Sequence, residues 1–151
     1  MIQRIQSVYL ALAVILLVLC CCMPLAVLEP EGMGKPAVMY SLVVIGGDGA
    51  IMSYLPLALF ILVVIAEIIT VFAIFGYKNR RRQMRMCRTA MLTELLWLAG
   101  YAGLLYYFGK DFTPHVSMAA FIPLIALILT FMARRAIKKD DDLVRSAERF
   151  R

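Results

Sequence analysis

The chain has 151 residues, of which 63% are hydrophobic, with a mean hydropathy of +0.84 and a formal net charge of +6. Soluble domains are roughly 45–50% apolar, so this composition excludes an ordinary water-soluble fold, while the length suits a single domain. One histidine and four cysteines without a C-x-x-C pair offer neither a metal-ligand cluster nor an exchangeable dithiol, so no cofactor or metal is expected.

The apolar residues gather into long runs. A bilayer core of ~30 Å takes about 20 residues of helix, and four runs are long enough. The first predicts a helix over about 7–28 that carries no charge. Its basic start outlines a signal peptide, but the run is long and no A-x-A site follows it, so a retained helix is expected. In "LVLCCC", Leu19 stands where a lipoprotein acceptor site would have a small residue. Cys20, Cys21 and Cys22 then serve as small polarizable hydrophobes, as does Cys87 far along the chain.

The outer loop over 29–53 holds "KPAVMYSLVVI", then the turn residues "GGDG", then "AIMSYL". Glycine and aspartate tolerate the positive φ of tight hairpin turns, so the loop predicts a short β-hairpin. The second helix, over about 54–77, contains one charge, Glu67. A basic inner loop over 78–88 follows, and the third helix, about 87–109, again has one acid, Glu94. "GKDFTPHV" reads as a plain turn with His115 in solvent. The fourth helix, about 116–134, has no Gly or Pro after Pro123, so it can run on into the tail over 135–151. In that tail Ile137, Leu143, Val144, Ala147 and Phe150 recur near helical spacing between charges. The acidic run Asp140–Asp142 would be repelled by an anionic membrane, which favours docking to a protein partner or to a second copy of the chain.

Charge sets the topology. The segment between helices 2 and 3 has six Lys or Arg, the chain from Arg134 has seven, and Arg4 adds one, together fourteen of the 16. Basic loops stay cytoplasmic, which puts both termini inside. The same loop can hold anionic lipid head groups; with no aromatic or motif context, nucleic acid is not an expected partner.

Two acids in hydrocarbon need a reason, because a charge at mid-bilayer costs ~2.5–3.5 kcal/mol on insertion scales. At ~1.5 Å per residue Glu67 lies roughly 15 Å inward of Tyr77, and Glu94 roughly 9 Å inward of Arg88. With Thr70 and Thr93 they form a candidate intramembrane polar set in which at least one carboxyl is protonated. It acts either as glue fixing helix register or as a proton relay. Ala99 and Gly103 offer a small-xxx-small approach on helix 3. Without a phosphate loop, an H-E-x-x-H motif or a Ser-His-Asp set, no enzyme activity is expected.

The opening "MIQRIQ" and the closing "RSAERFR" resemble the ends of an uncharacterised family, DUF4293, of bacterial (Bacteroidota) inner-membrane proteins with four helices. The resemblance covers the whole chain, with Glu148 where the family more often has Asp. It implies an inner-membrane location and supplies no catalytic residues. Both motifs fall on the basic side, so Gln3, Arg4, Gln6, Arg145, Ser146, Arg149 and Arg151 form a candidate cytoplasmic docking surface. The expected architecture is an all-α membrane protein: a four-transmembrane-helix bundle with both termini inside, a short extracytoplasmic β-hairpin loop and a cytoplasmic helical extension. The expected role is that of an accessory or scaffold subunit, with a small proton-linked transporter using Glu67 and Glu94 as the alternative.

Overall fold

The computed structural model describes the backbone of residues 2–30, 32 and 34–149, and the side chains of these apart from 2–4, 78, 145 and 147–149. The chain begins with α1 (Ile2–Cys22). Pro24 stops it, since proline removes a backbone donor and pushes the preceding residue out of the helical region. Beyond it the burial alternates, with Ala26 and Leu28 inward and Glu29 outward, and β1 (Ala26–Pro30) forms. β2 (Ala37–Met39), β3 (Val44–Ile45) and β4 (Ile51–Ser53) follow as a meander. A tight turn at Tyr40, whose N–H donates to the Val43 carbonyl at 2.9 Å, splits the run read as one strand into β2 and β3. Gly49, at φ +82°, makes the next turn.

After Pro56 comes α2 (Leu57–Phe75), then a single 3-10 turn, Gly76–Lys78. α3 (Arg80–Phe108) starts in the basic run expected to be a loop. Arginine is a good helix former, and the Asn79 side chain accepts the Arg82 N–H at 3.2 Å as an N-cap. β5 (Phe112–Val116) and a 3-10 turn (Met118–Phe121) lead into α4 (Ile122–Arg149), which continues unbroken through the tail.

The all-α expectation is corrected twice. First, all five strands form one antiparallel sheet in the order β4-β3-β2-β1-β5. β1 was absorbed into the first apolar run and β5 was read as a turn, yet Ala26 to Pro30 pair with Val116 to Phe112. Pro114 is tolerated because β5 is an edge strand. Second, among the described residues three helices are long and apolar enough to cross a membrane, within Ile5–Cys22, Leu57–Phe75 and Met118–Val144. α3 is not among them: Thr89, Thr93, Glu94, Tyr101, Tyr106 and Tyr107 dilute its apolar stretch.

The helices form a ring in which each touches the next: α1 on α2, α2 on α3, α3 on α4, α4 on α1. Buried positions recur every four then three residues, as in Leu10, Ala13, Leu17 and Cys20 of α1 or Val63, Ala66, Thr70 and Ala73 of α2. That 3.5-residue period is the seam of a left-handed bundle. The sheet closes one end, joined to the C-terminal ends of α1 and α3 and the N-terminal ends of α2 and α4. The Leu25 carbonyl fastens it, accepting the Ser117 N–H at 3.0 Å and the buried Tyr101 hydroxyl at 2.9 Å. The α2–α3 connection and both chain ends lie opposite.

At Gly100 α3 lies against α2, and an added Cβ would stand 3.0 Å from Leu59 Cδ2, whereas one at Gly103 meets nothing within 4 Å. The small-residue approach is thus made at Gly100, with Gly103 exposed. Gly103→Ala should hold or raise thermal stability in detergent by up to about 1 kcal/mol through helix propensity. Gly100→Val should cost about 1–3 kcal/mol by overpacking. Equal effects at the two sites would contradict this helix pairing.

Candidate functional site

Seam positions on α3 are Gln83, Cys87, Ala90, Glu94, Trp97 and Tyr101, all buried. Glu94 therefore points into the bundle by its place in the repeat, and it is 1% exposed. Its partner is on α4: the Thr130 hydroxyl lies 3.3 Å from Glu94 Oε1 and 2.9 Å from the Ala126 carbonyl of its own helix. One hydroxyl proton cannot serve both. With that proton on the nearer carbonyl, the Glu94 contact is filled when the carboxyl carries a proton and donates it to Thr130 Oγ. A neutral carboxylic acid also avoids the cost of burying charge.

Glu67 follows Ala66 by one residue, so it falls beside the seam and is half-buried. It lies on the side of α2 toward Cys20 and Cys21 of α1. No hydrogen bond joins Glu67 to Glu94 among the described residues. The other two members of the expected set also bond locally. Thr70 donates to the Ala66 carbonyl at 2.7 Å and Thr93 to the Thr89 carbonyl at 3.0 Å, each within its own helix. Thr130, which sequence reasoning missed, is the residue that reaches Glu94. Its signal lay in the repeat Ala126, Thr130, Ala133, Ile137.

Beside Glu94 lies a narrow gap between Leu17 of α1, Val63 and Ala66 of α2, Trp97 of α3 and Pro123 of α4, with no room for a water molecule. Two buried polar atoms of residues that line it, Glu94 Oε2 and Trp97 Nε1, have no hydrogen-bond partner among the described residues. Trp97 stacks on Tyr101 with ring centroids 5.3 Å apart, which holds the indole in place. The cysteines are free, and no group of His, Cys, Asp and Glu able to hold a metal occurs among the described residues. His115, on β5, stands 3.3 Å from Glu29 of β1.

Of the expected docking residues, Gln6 is corrected: it lies on the α1 seam, 3% exposed, and is not a surface group. Ser146 is exposed and donates to the Leu143 carbonyl at 2.8 Å. The side chains of Gln3, Arg4, Arg145 and Arg149, and all of Arg151, lie outside the described residues.

Three helices able to cross a membrane, small residues on the inner faces and large apolar ones outside mark a membrane protein: a helical bundle capped by a small antiparallel sheet. The chain belongs to the family described as Domain of unknown function (DUF4293), whose match covers residues 2–150. No curated protein matches it significantly.

Thr130 and Thr70 are both fully buried, but only Thr130 reaches another helix. Thr130→Val should lower stability in detergent by about 0.6–1.7 kcal/mol, the range for an interhelical membrane hydrogen bond. Thr70→Val, of the same shape, should change it by less than about 0.5 kcal/mol. Unfolding midpoints of the two variants and of Glu94→Gln, whose amide can still donate to Thr130, measure the difference.

Proposed function

We propose that the protein is a multi-pass protein of the bacterial inner membrane, with both termini in the cytoplasm and the sheet on the outer side. Its role in this reading is non-enzymatic: an accessory or scaffold subunit that presents the end of α4 to a protein partner. The basic residues at the end away from the sheet support the orientation, because lysine and arginine are retained on the cytoplasmic side. The packed interior, with a gap too narrow for water, favours structural roles for the buried acid over a conduction path.

One observation carries the docking role. α4 continues to Arg149, well past Ile137, its last fully buried residue among those described. This extension is braced where it leaves the bundle: Arg80 at the start of α3 lies 3.1 Å from Asp140, both side chains largely shielded. Beyond the brace Leu143 is 50% and Val144 37% exposed. A rigid helix bearing uncovered apolar residues between charges is a helix-in-groove ligand. The alternative, proton-linked transport, draws on the unpartnered Glu94 Oε2 beside the gap.

A photo-crosslinking residue at Leu143 in native membranes should give one discrete protein adduct, absent when the crosslinker is placed at outward-facing Ile61. Adducts with lipid alone would remove the docking reading. For the alternative, purified protein in proteoliposomes would carry a pH-dependent flux that Glu94→Gln or Glu67→Gln abolishes; equal leak in all three supports the scaffold.

A further inference from the structure

The basic end of the bundle contains a formed cleft. Arg81, Arg85 and Arg88 recur at four and three residues along one face of α3, and Arg134 of α4 faces them across the helix boundary. With Met84 they line an open surface cleft of about 500 Å³. Arg134 shares the cleft with the three α3 arginines, which puts it beside the α3–α4 junction. No carboxylate lies within 4.0 Å of any of the four arginines among the described residues; Arg80, which is paired with Asp140, lies outside the cleft. Like charges grouped on one face, with no carboxylate within 4.0 Å among the described residues, favour an anionic ligand there.

The walls of the cleft say what kind of anion. Met84 and the arginine stems make its lining largely apolar, so the charged ends are available at the surface. The apolar run of α4 ends at Ala133, directly before Arg134, and exposed Phe75 and Tyr77 lie at the same end of the bundle. That is the level of head groups in a bilayer crossed by these helices. Guanidinium forks match phosphate oxygens two at a time. We propose that the Arg81–Arg85–Arg88–Arg134 cleft is a binding site for the phosphate of an anionic glycerophospholipid, which it grips at the cytoplasmic surface. The proposal rests on the orientation given above only for which leaflet supplies the lipid.

Native mass spectrometry of the delipidated protein in mild detergent, titrated with dioleoyl phosphatidylglycerol, tests it. The wild type should bind one lipid in preference to dioleoyl phosphatidylcholine. At about 1 kcal/mol, or about fivefold, per arginine, R85Q/R134Q should weaken the first binding step about twenty-five-fold. R82Q/R135Q removes the same charge outside the cleft and should change binding by no more than about twofold. R85K/R134K, which keeps the charge, should recover part of the loss. Equal weakening by both glutamine pairs would reduce the effect to diffuse surface potential and overturn the site. Equal binding of the zwitterionic lipid would also overturn it. So would full displacement by millimolar inorganic phosphate, which would make the ligand a free anion. A reporter that placed the C-terminus outside would instead overturn the orientation and leave the cleft's lipid preference to stand by itself.

Discussion

Small side chains recur where the helices touch, between a few large ones such as Leu10, Leu17, Trp97 and Ile137. Ala13, Ala66, Ala73, Ala90, Ala126 and Ala133 are at most 1% exposed, and Thr70, Thr130, Cys20 and Cys87 are fully buried beside them. The large aliphatic and aromatic residues stand on the other side of the same helices: Ile5, Val8 and Ile15 of α1, Ile61, Ile68 and Phe72 of α2, Ile128 and Phe131 of α4. In water this arrangement would be upside down, because burying large apolar surface is what drives a soluble core together. In hydrocarbon an outward isoleucine loses nothing, and association depends on how closely backbones approach and on hydrogen bonds between helices. The inner alanines allow that approach; everything else in the bundle follows from it.

The two ends of the bundle solve different problems. At the sheet end the chain would otherwise present carbonyls of α1 and the loop backbone without partners. Instead the Ser41 hydroxyl donates to the Cys20 carbonyl at 3.4 Å, the Leu25 N–H to the Met39 carbonyl at 2.7 Å, and the strands pair with one another. The sheet joins segments from the α1–α2 and α3–α4 connections, so it ties all four helices at one end. At the opposite end no strand occurs among the described residues, and side chains do the joining. Gln83 Nε2 reaches back to the Ala73 carbonyl in the last turns of α2 at 3.0 Å, and Arg80 grips Asp140 of α4. One end is fixed by backbone pairing and the other by a few long side chains, which leaves α4 free to project there.

Run length and charge carried much of the architecture into the sequence reading, and they fell short for specific reasons. A hydropathy run cannot show where a helix stops when the next strand is also apolar; Leu25 to Leu28 merge with α1 unless Pro24 is given its full weight. The pairing of β1 with β5 joins segments from opposite ends of the chain, and no local pattern in "DFTPHV" points to "AVLEP". The acids were legible as anomalies but their partners were not. Position along a run gives depth only, whereas the four-then-three spacing of small residues gives direction. Read that way, Glu94 falls on the seam and Glu67 one step off it, which separates a bonded acid from one facing α1.

Polar residues recur along those seams: Gln6 on α1, Thr70 on α2, Gln83 and Glu94 on α3, Thr130 on α4. Packing alone discriminates poorly between registers of α2 or α4, since sliding either by a heptad puts Ala73 in the place of Ala66 or Ala133 in the place of Ala126. A polar group at a single seam position removes that ambiguity, because a slipped register strands it in an apolar environment. Glu94 and Thr130 do this for α3 and α4, and Gln83 with the Ala73 carbonyl does it for α2 and α3. The register then carries outward. Once α3 and α4 are locked at Glu94, Arg80 must meet Asp140, and Arg134 must stand beside the Arg81–Arg88 face. The buried acid thus acts on the charged surface without touching it, by setting how far one helix has slid along the other.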